Sequence, residues 1–134
     1  IRCIFYAGQR AKENMKQILV VDDDAQIRSM LRTALEDEGY NVHEARDGKE
    51  AISNLVGLTV ELVITDIVMP EKEGLETIRE MRRDSPDIKI IAISGANQYL
   101  DIAKILGADY VFSKPFSILH LIDKVNELIV PPRQ

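Results

Sequence analysis

The chain has 134 residues, 46% hydrophobic and 29% charged, the balance of a soluble globular protein with a single core. Its net charge of −5 argues against a nucleic-acid surface, and no apolar run approaches the roughly 20 residues that cross a bilayer. One cysteine, Cys3, excludes an internal disulfide and makes a reducing cytoplasm the simplest compartment.

Residues 1–14, IRCIFYAGQRAKEN, start apolar and turn polar with no helical or strand period. They read as a leader, either an appended stretch or the tail of an upstream segment, set apart from a domain spanning 15–130. ILVV (18–21) is a short apolar run rich in β-branched residues, hence a buried strand. Ile27, Met30, Leu31, Ala34 and Leu35 then recur at helical spacing, with Gly39 placed to stop the helix. YNVHEA (40–45) is a weaker strand. Ala51, Ile52, Leu55 and Val56 suit a short helix that Asp47 caps. ELVIT (61–65) is the third strand. Leu75, Ile78 and Met81 mark the next helix, which ends before DSPD because Pro86 disfavours helix at Ser85.

IKIIAIS (88–94) is the fourth strand, YLDIAKILG (99–107) a helix closed by glycine, and YVFS (110–113) the fifth strand. Ser117 caps a last helix carrying Ile118, Leu121, Ile122, Val125, Leu128 and Ile129, and residues 131–134 form a tail. Five strands alternating with five helices predict a doubly wound α/β fold, (βα)5, with a five-stranded parallel sheet covered on both faces. In such a sheet the C-terminal strand ends share one edge, where ligands bind.

That edge collects polar groups. Asp22, Asp23 and Asp24 follow the first strand, Asp66 follows the third, the fourth ends in Ser94, and Lys114 follows the fifth. Clustered carboxylates make a hard oxygen site suited to Mg²⁺, with no need for histidine or thiol. Lys114 is a flexible point charge able to reach a phosphoryl oxygen, Ser94 can donate one hydrogen bond to it, and a central Asp66 can serve as the carboxylate nucleophile. Metal and lysine would neutralise charge on the transferred group, the main requirement of phosphoryl transfer.

At these residues the chain resembles the receiver domain of two-component response regulators. The motifs are ILVVDDD with IR shortly after, VITDIVMP with GLE four residues on, IIAISGA, and GAD followed by SKPF, in order over Ile18 to about Leu128. The resemblance implies the strand order 2-1-3-4-5 of flavodoxin-like folds. It implies Asp66 as phosphoacceptor, Asp22 and Asp23 as the acidic pair, Ser94 as the hydroxyl residue, Lys114 as the lysine, and the Val68 backbone carbonyl as a further Mg²⁺ ligand. Mn²⁺ could substitute for Mg²⁺. It also implies a cis Lys114–Pro115 bond. The donor would be a histidine kinase or a histidine phosphotransfer protein, and the acyl phosphate would draw Ser94 and Lys114 inward. The region around Tyr99–Leu128 would then shift and signal to a protein target. Such a chain is cytoplasmic, a monomer or weak dimer, and no enzyme beyond its own phosphorylation and dephosphorylation. Many receivers carry an aromatic residue three positions before the lysine; here that place is Val111.

Blander readings stand beside these. Asp24 reads as the first helix's N-cap, Met69 and Pro70 as loop-shaping, Gly74 as permitting a tight turn. His43 and His120 lack ligand partners at useful spacing and read as structural or solvent-facing, and Phe116 as a packing anchor. A haloacid-dehalogenase-type phosphatase would need a second acid where Val68 stands and room for a cap. Neither G-x-x-x-x-G-K-[ST] nor G-x-G-x-x-G occurs, so a nucleotide-binding domain is unsupported. A degenerate receiver acting only as an interaction module is the remaining alternative.

Overall fold

The computed structural model describes residues 15–67 and 72–129. The leader, the tail and the loop residues Val68, Met69 and Pro70 lie outside the described residues, so the expectations placed on them are neither met nor contradicted.

The apolar runs form β1 (Gln17–Val21), β2 (Asn41–Ala45), β3 (Leu62–Asp66), β4 (Lys89–Ser94) and β5 (Tyr110–Ser113). All neighbours are parallel and the order is β2-β1-β3-β4-β5, as expected. Between them run α1 (Ala25–Asp37), α2 (Gly48–Gly57), α3 (Lys72–Asp84), α4 (Asn97–Leu106) and α5 (Ile118–Ile129).

Strand side chains alternate between faces, so the sheet divides its core in two. Ile18, Val20, Ile64, Ile91 and Phe112 meet Leu31 and Leu35 of α1 and Leu121 and Val125 of α5. Leu19, Val63, Ile90 and Ala92 meet Ala51 of α2, Ile78 and Met81 of α3 and Ala103 of α4. Burying each large side chain contributes roughly 1.5–3 kcal/mol, so both layers are needed to hold a sheet with no wet face.

Three helix N-termini are closed by side-chain oxygens. Asp24 Oδ1 accepts from Gln26 N at 2.9 Å, Asp47 Oδ1 from Glu50 N at 2.8 Å and Ser117 Oγ from His120 N at 3.3 Å. Asp24 is therefore the cap of α1. Gly107 ends α4 at φ 129°, a conformation that L side chains rarely adopt. A Cβ there would lie 2.8 Å from Arg82 Cγ.

Arg82 anchors the N-terminal edge of the sheet. Its Nη1 donates to Pro86 O at 2.8 Å and Ile88 O at 2.7 Å, and its Nη2 to Gly107 O at 2.8 Å and Asp109 Oδ2 at 2.7 Å. The same Asp109 oxygen accepts from Ile90 N at 2.8 Å. One planar fork thus ties α3 to β4 and to the α4–β5 turn.

Some boundaries differ from the sequence reading. β2 starts at Asn41, β4 at Lys89, and α4 at Asn97 rather than Tyr99. β3 runs to Asp66 rather than Thr65, because Asp66 still pairs with Ile93 and Ile67 N donates to Ile93 O at 2.8 Å. Met30 and Val56, expected on buried helix faces, are 47% and 87% exposed.

Candidate functional site

The third strand ends in an acid because its end is the rim of the core, not its interior. Asp66 closes β3, Asp22 and Asp23 follow β1 next to it, and each offers a carboxylate oxygen within 4.8 Å of the others. Among the described residues this is the one such cluster that could hold a metal ion. Lys114, after β5, brings Nζ to 3.0 Å from Asp66 Oδ1. That oxygen is buried yet accepts no hydrogen bond. The ammonium lies close to it without hydrogen-bond alignment.

Asp22 is held from several sides. Its N–H donates to Ala45 O at 3.1 Å, and its Oδ1 accepts from Asp24 N at 2.8 Å. Only 5% of the residue is exposed. Burial pushes the Asp22 carboxyl up to about 6, and the charges of Asp66 and, more weakly, Asp23 push the same way. The Asp24 N–H and the Lys114 ammonium oppose them. A carboxylate disfavoured in this way gains most from a cation.

Ser94 ends β4, fully buried. Its Oγ accepts from Ala96 N at 3.1 Å, while Ser94 O accepts from Lys114 N at 2.9 Å. Ser94 therefore stands one strand from Asp66 with its hydroxyl engaged in the turn before α4. The Lys114–Pro115 bond is cis, as expected. Val68 lies outside the described residues, so its carbonyl cannot be placed. His43 Nε2 pairs with Gln17 Oε1 at 2.6 Å, and His120 stacks edge-on against Phe112, which agrees with structural roles. Phe116 packs against the core and Phe112.

The acids line a cavity of about 520 Å³ whose other walls include Arg46, Gly48, Thr65 and Thr77. None of these four was singled out in the sequence. Gly48 carries a usable signal: it opens α2 so close to α3 that a Cβ would lie 2.0 Å from Thr77 Oγ1. A cavity of about 450 Å³ at the other end of the sheet, between Leu55, Pro86 and Leu128, is lined by two acids, Glu61 and Asp87, and holds no cluster of three metal-ligating side chains among the described residues.

The donor set fits a hard divalent cation: oxygen ligands only, three carboxylates, and a buried oxygen lacking a donor. Asp22, Asp23 and Asp66 would hold it. The same oxygen of Asp66 is near Lys114, so an anionic group attached there would face both the cation and the ammonium.

Comparison with known proteins agrees with this geometry. Residues 18–126 match the family described as response regulator receiver domain. Response regulator SaeR of Staphylococcus aureus is 38% identical over 117 residues, 86% of this chain and 51% of that protein. The chain thus spans about half the length of the curated relatives it matches. Among solved structures, response regulator TrrA from Thermotoga maritima, in complex with Mg²⁺ and BeF, is 39% identical with a TM-score of 0.78, covering 86% of this chain and 100% of that one. Chemotaxis protein CheY4 of Vibrio cholerae is 28% identical with a TM-score of 0.77, covering 86% and 99%.

Proposed function

The chain belongs to the response regulator receiver domain family of two-component systems, and on that premise we propose that Asp66 is its phosphoacceptor, charged by a phosphohistidine donor in a Mg²⁺-dependent reaction. The observation that carries this reading is the meeting of the three carboxylates of Asp22, Asp23 and Asp66, one oxygen of each within 4.8 Å of the others, with Lys114 Nζ 3.0 Å from Asp66 Oδ1. The relative solved with Mg²⁺ and BeF supports the same chemistry here.

A carboxylate oxygen of Asp66 forms the new P–O bond as the donor's N–P bond breaks, and the imidazole leaves with the nitrogen electron pair. Asp22, Asp23 and Asp66 would hold the cation, which would neutralise charge on the phosphoryl oxygens; Mn²⁺ would meet the same oxygen-ligand requirement. Lys114 supplies the second positive charge at the anchored oxygen. Ser94 Oγ accepts from Ala96 N, so moving its hydroxyl toward the phosphoryl group to donate there would pull on that bond and couple the site to α4. The donor is a histidine kinase or a histidine phosphotransfer protein in the cytoplasm, and the chain turns over no separate substrate. The shift of residues 99–128 is then read by a protein target.

The test is intact mass after incubation with acetyl phosphate and Mg²⁺. One phosphoryl group should be added, and Asp66→Asn should abolish the gain. Equal modification of the Asn variant would overturn the assignment.

A further inference from the structure

Arg28 is absorbed by neither the acid cluster nor the core. It lies on α1 with its side chain only 13% exposed, a position where a charged group requires partners. Its Nη1 donates to the backbone oxygen of Asp22 at 2.6 Å, and its Nε donates to Glu44 Oε1 at 3.1 Å. Glu44 is held in turn by Arg32 Nη1 at 2.7 Å, and these two arginines keep its carboxyl below the usual carboxylate range. Glu44 is on β2, so the guanidinium bridges a helix and a strand through two fixed directions.

The oxygen it holds is the informative part. It belongs to the peptide plane that joins Asp22 to Asp23. Asp22 N is already fixed to β2 through Ala45 O, and the Asp22 carboxylate is fixed by Asp24 N. Arg28 supplies the remaining constraint. With that peptide unable to rotate, the two acid side chains keep one relative direction and meet Asp66 together. Without it, a carbonyl on a nearly buried residue loses its donor and turns toward water, swinging Asp23 away and drawing the Asp24 N–H off the Asp22 carboxylate.

We propose that Arg28 is the positioning residue of the cation site: it sets the Asp22–Asp23 peptide and so presents the acidic pair. This rests on the reading of Asp22, Asp23 and Asp66 as the Mg²⁺ ligands. Partners of this outer kind typically alter metal affinity by roughly 10–100-fold when removed.

The experiment is calorimetric Mg²⁺ titration of the wild-type chain, Arg28→Met, Arg28→Lys and Arg82→Met, each confirmed folded by circular dichroism. Arg28→Met should weaken Mg²⁺ binding about tenfold. Arg28→Lys keeps the charge but carries all its donors on one nitrogen and lacks the planar fork that spans Asp22 O and Glu44 from separate atoms, and should lose most of the same affinity. Arg82→Met disturbs the opposite end of the sheet and should bind within about twofold of wild type. Wild-type affinity in either Arg28 variant would overturn the proposal, as would an equal loss in Arg82→Met, which would reduce the effect to general destabilisation. Amide exchange in metal-free protein separates this from the functional reading. Arg28→Lys should speed exchange at Asp24 N–H, whose acceptor is the Asp22 carboxylate; unchanged protection there would overturn the positioning role whether or not Mg²⁺ binds. A wild-type chain with no Mg²⁺ uptake would instead overturn the functional reading.

Discussion

Asp23→Asn should make the metal-free protein more stable while weakening its response to Mg²⁺. The Asp23 carboxylate lies within 4.8 Å of those of Asp22 and Asp66. A like-charge pair at that separation repels by roughly 0.9 kcal/mol in water and about 3.5 kcal/mol at an effective dielectric of 20. Asp23 is exposed, so the lower figure governs: two pairs give about 2 kcal/mol, and the Lys114 ammonium beside Asp66 reduces this to about 1–2 kcal/mol. For a domain of this size that corresponds to a rise of roughly 3–8 °C in melting temperature without metal. Mg²⁺ binding only the native state would, at 100 times its dissociation constant, add about 2.7 kcal/mol to the wild type. The variant, with one ligand charge fewer, should gain less at the same concentration. Thermal melts with and without Mg²⁺, at low ionic strength where the repulsion is unscreened, measure both effects. An Asn variant no more stable than wild type without metal, yet equally stabilised by Mg²⁺, would place Asp23 outside the site.

Asp22 gives a pH dependence opposite to that of an ordinary surface acid. Its folded value of about 6 lies above the unfolded 3.8, so its contribution favours folding fully below about pH 4 and is lost as pH rises through 6. Urea melts of metal-free protein should therefore show a component of on the order of 1–2 kcal/mol gained between pH 7 and 4 and absent from Asp22→Asn, while Mg²⁺ affinity falls over the same interval; a component that survives Asp22→Asn would refute the assignment. Arg82→Met removes donors from Pro86 O, Ile88 O and Gly107 O and a partner from Asp109, and should lower stability by about 2–4 kcal/mol in urea, with Arg82→Lys restoring less than half; a loss under about 1 kcal/mol would contradict the anchoring role. Val111 has the reach of neither neighbouring ring, so a phosphoryl mimic should shift amides between Gly95 and Leu106; shifts confined to Tyr110–Ser113 would exclude this.

What could be read in the sequence was whatever one segment carries alone. The acids and Lys114 each follow an apolar run, so parallel topology alone brings them to one edge. Phe112 and Val111 likewise fall on opposite faces, as strand alternation requires, Phe112 toward α1 and α5 and Val111 toward the other layer. Errors arose where a tertiary surface decides. Val56 lies about 140° around α2 from the buried Ala51, and Met30 about 100° around α1 from Leu31, so an apolar arc wide enough to include them exceeds what the sheet covers. The ladder of β3 reaches Asp66 only because β4 continues beside it. Arg82 looks like a solvated helix charge in sequence, and Arg28 stands out only as half of the IR motif, with nothing to show what it holds. Their partners lie on other elements, and Asp109 is 27 positions from Arg82.

The two ends of α4 are secured very differently. Its C-terminus meets a glycine whose carbonyl is gripped by Arg82 and whose N–H is held by Ala103 O and Lys104 O. Its N-terminus has Ala96 at the cap position, with no side-chain oxygen to offer, and relies on Ser94 Oγ to hold Ala96 N. Withdrawing that hydroxyl toward Asp66 would therefore release one end of the helix and leave the other pinned. The motion available to α4 is that of a lever on a fixed fulcrum at Gly107. Its displacement would be largest at Asn97 and Gln98 and would decay along Leu100 and Ala103, so a partner sensing the phosphorylated state gains most by gripping the first turn.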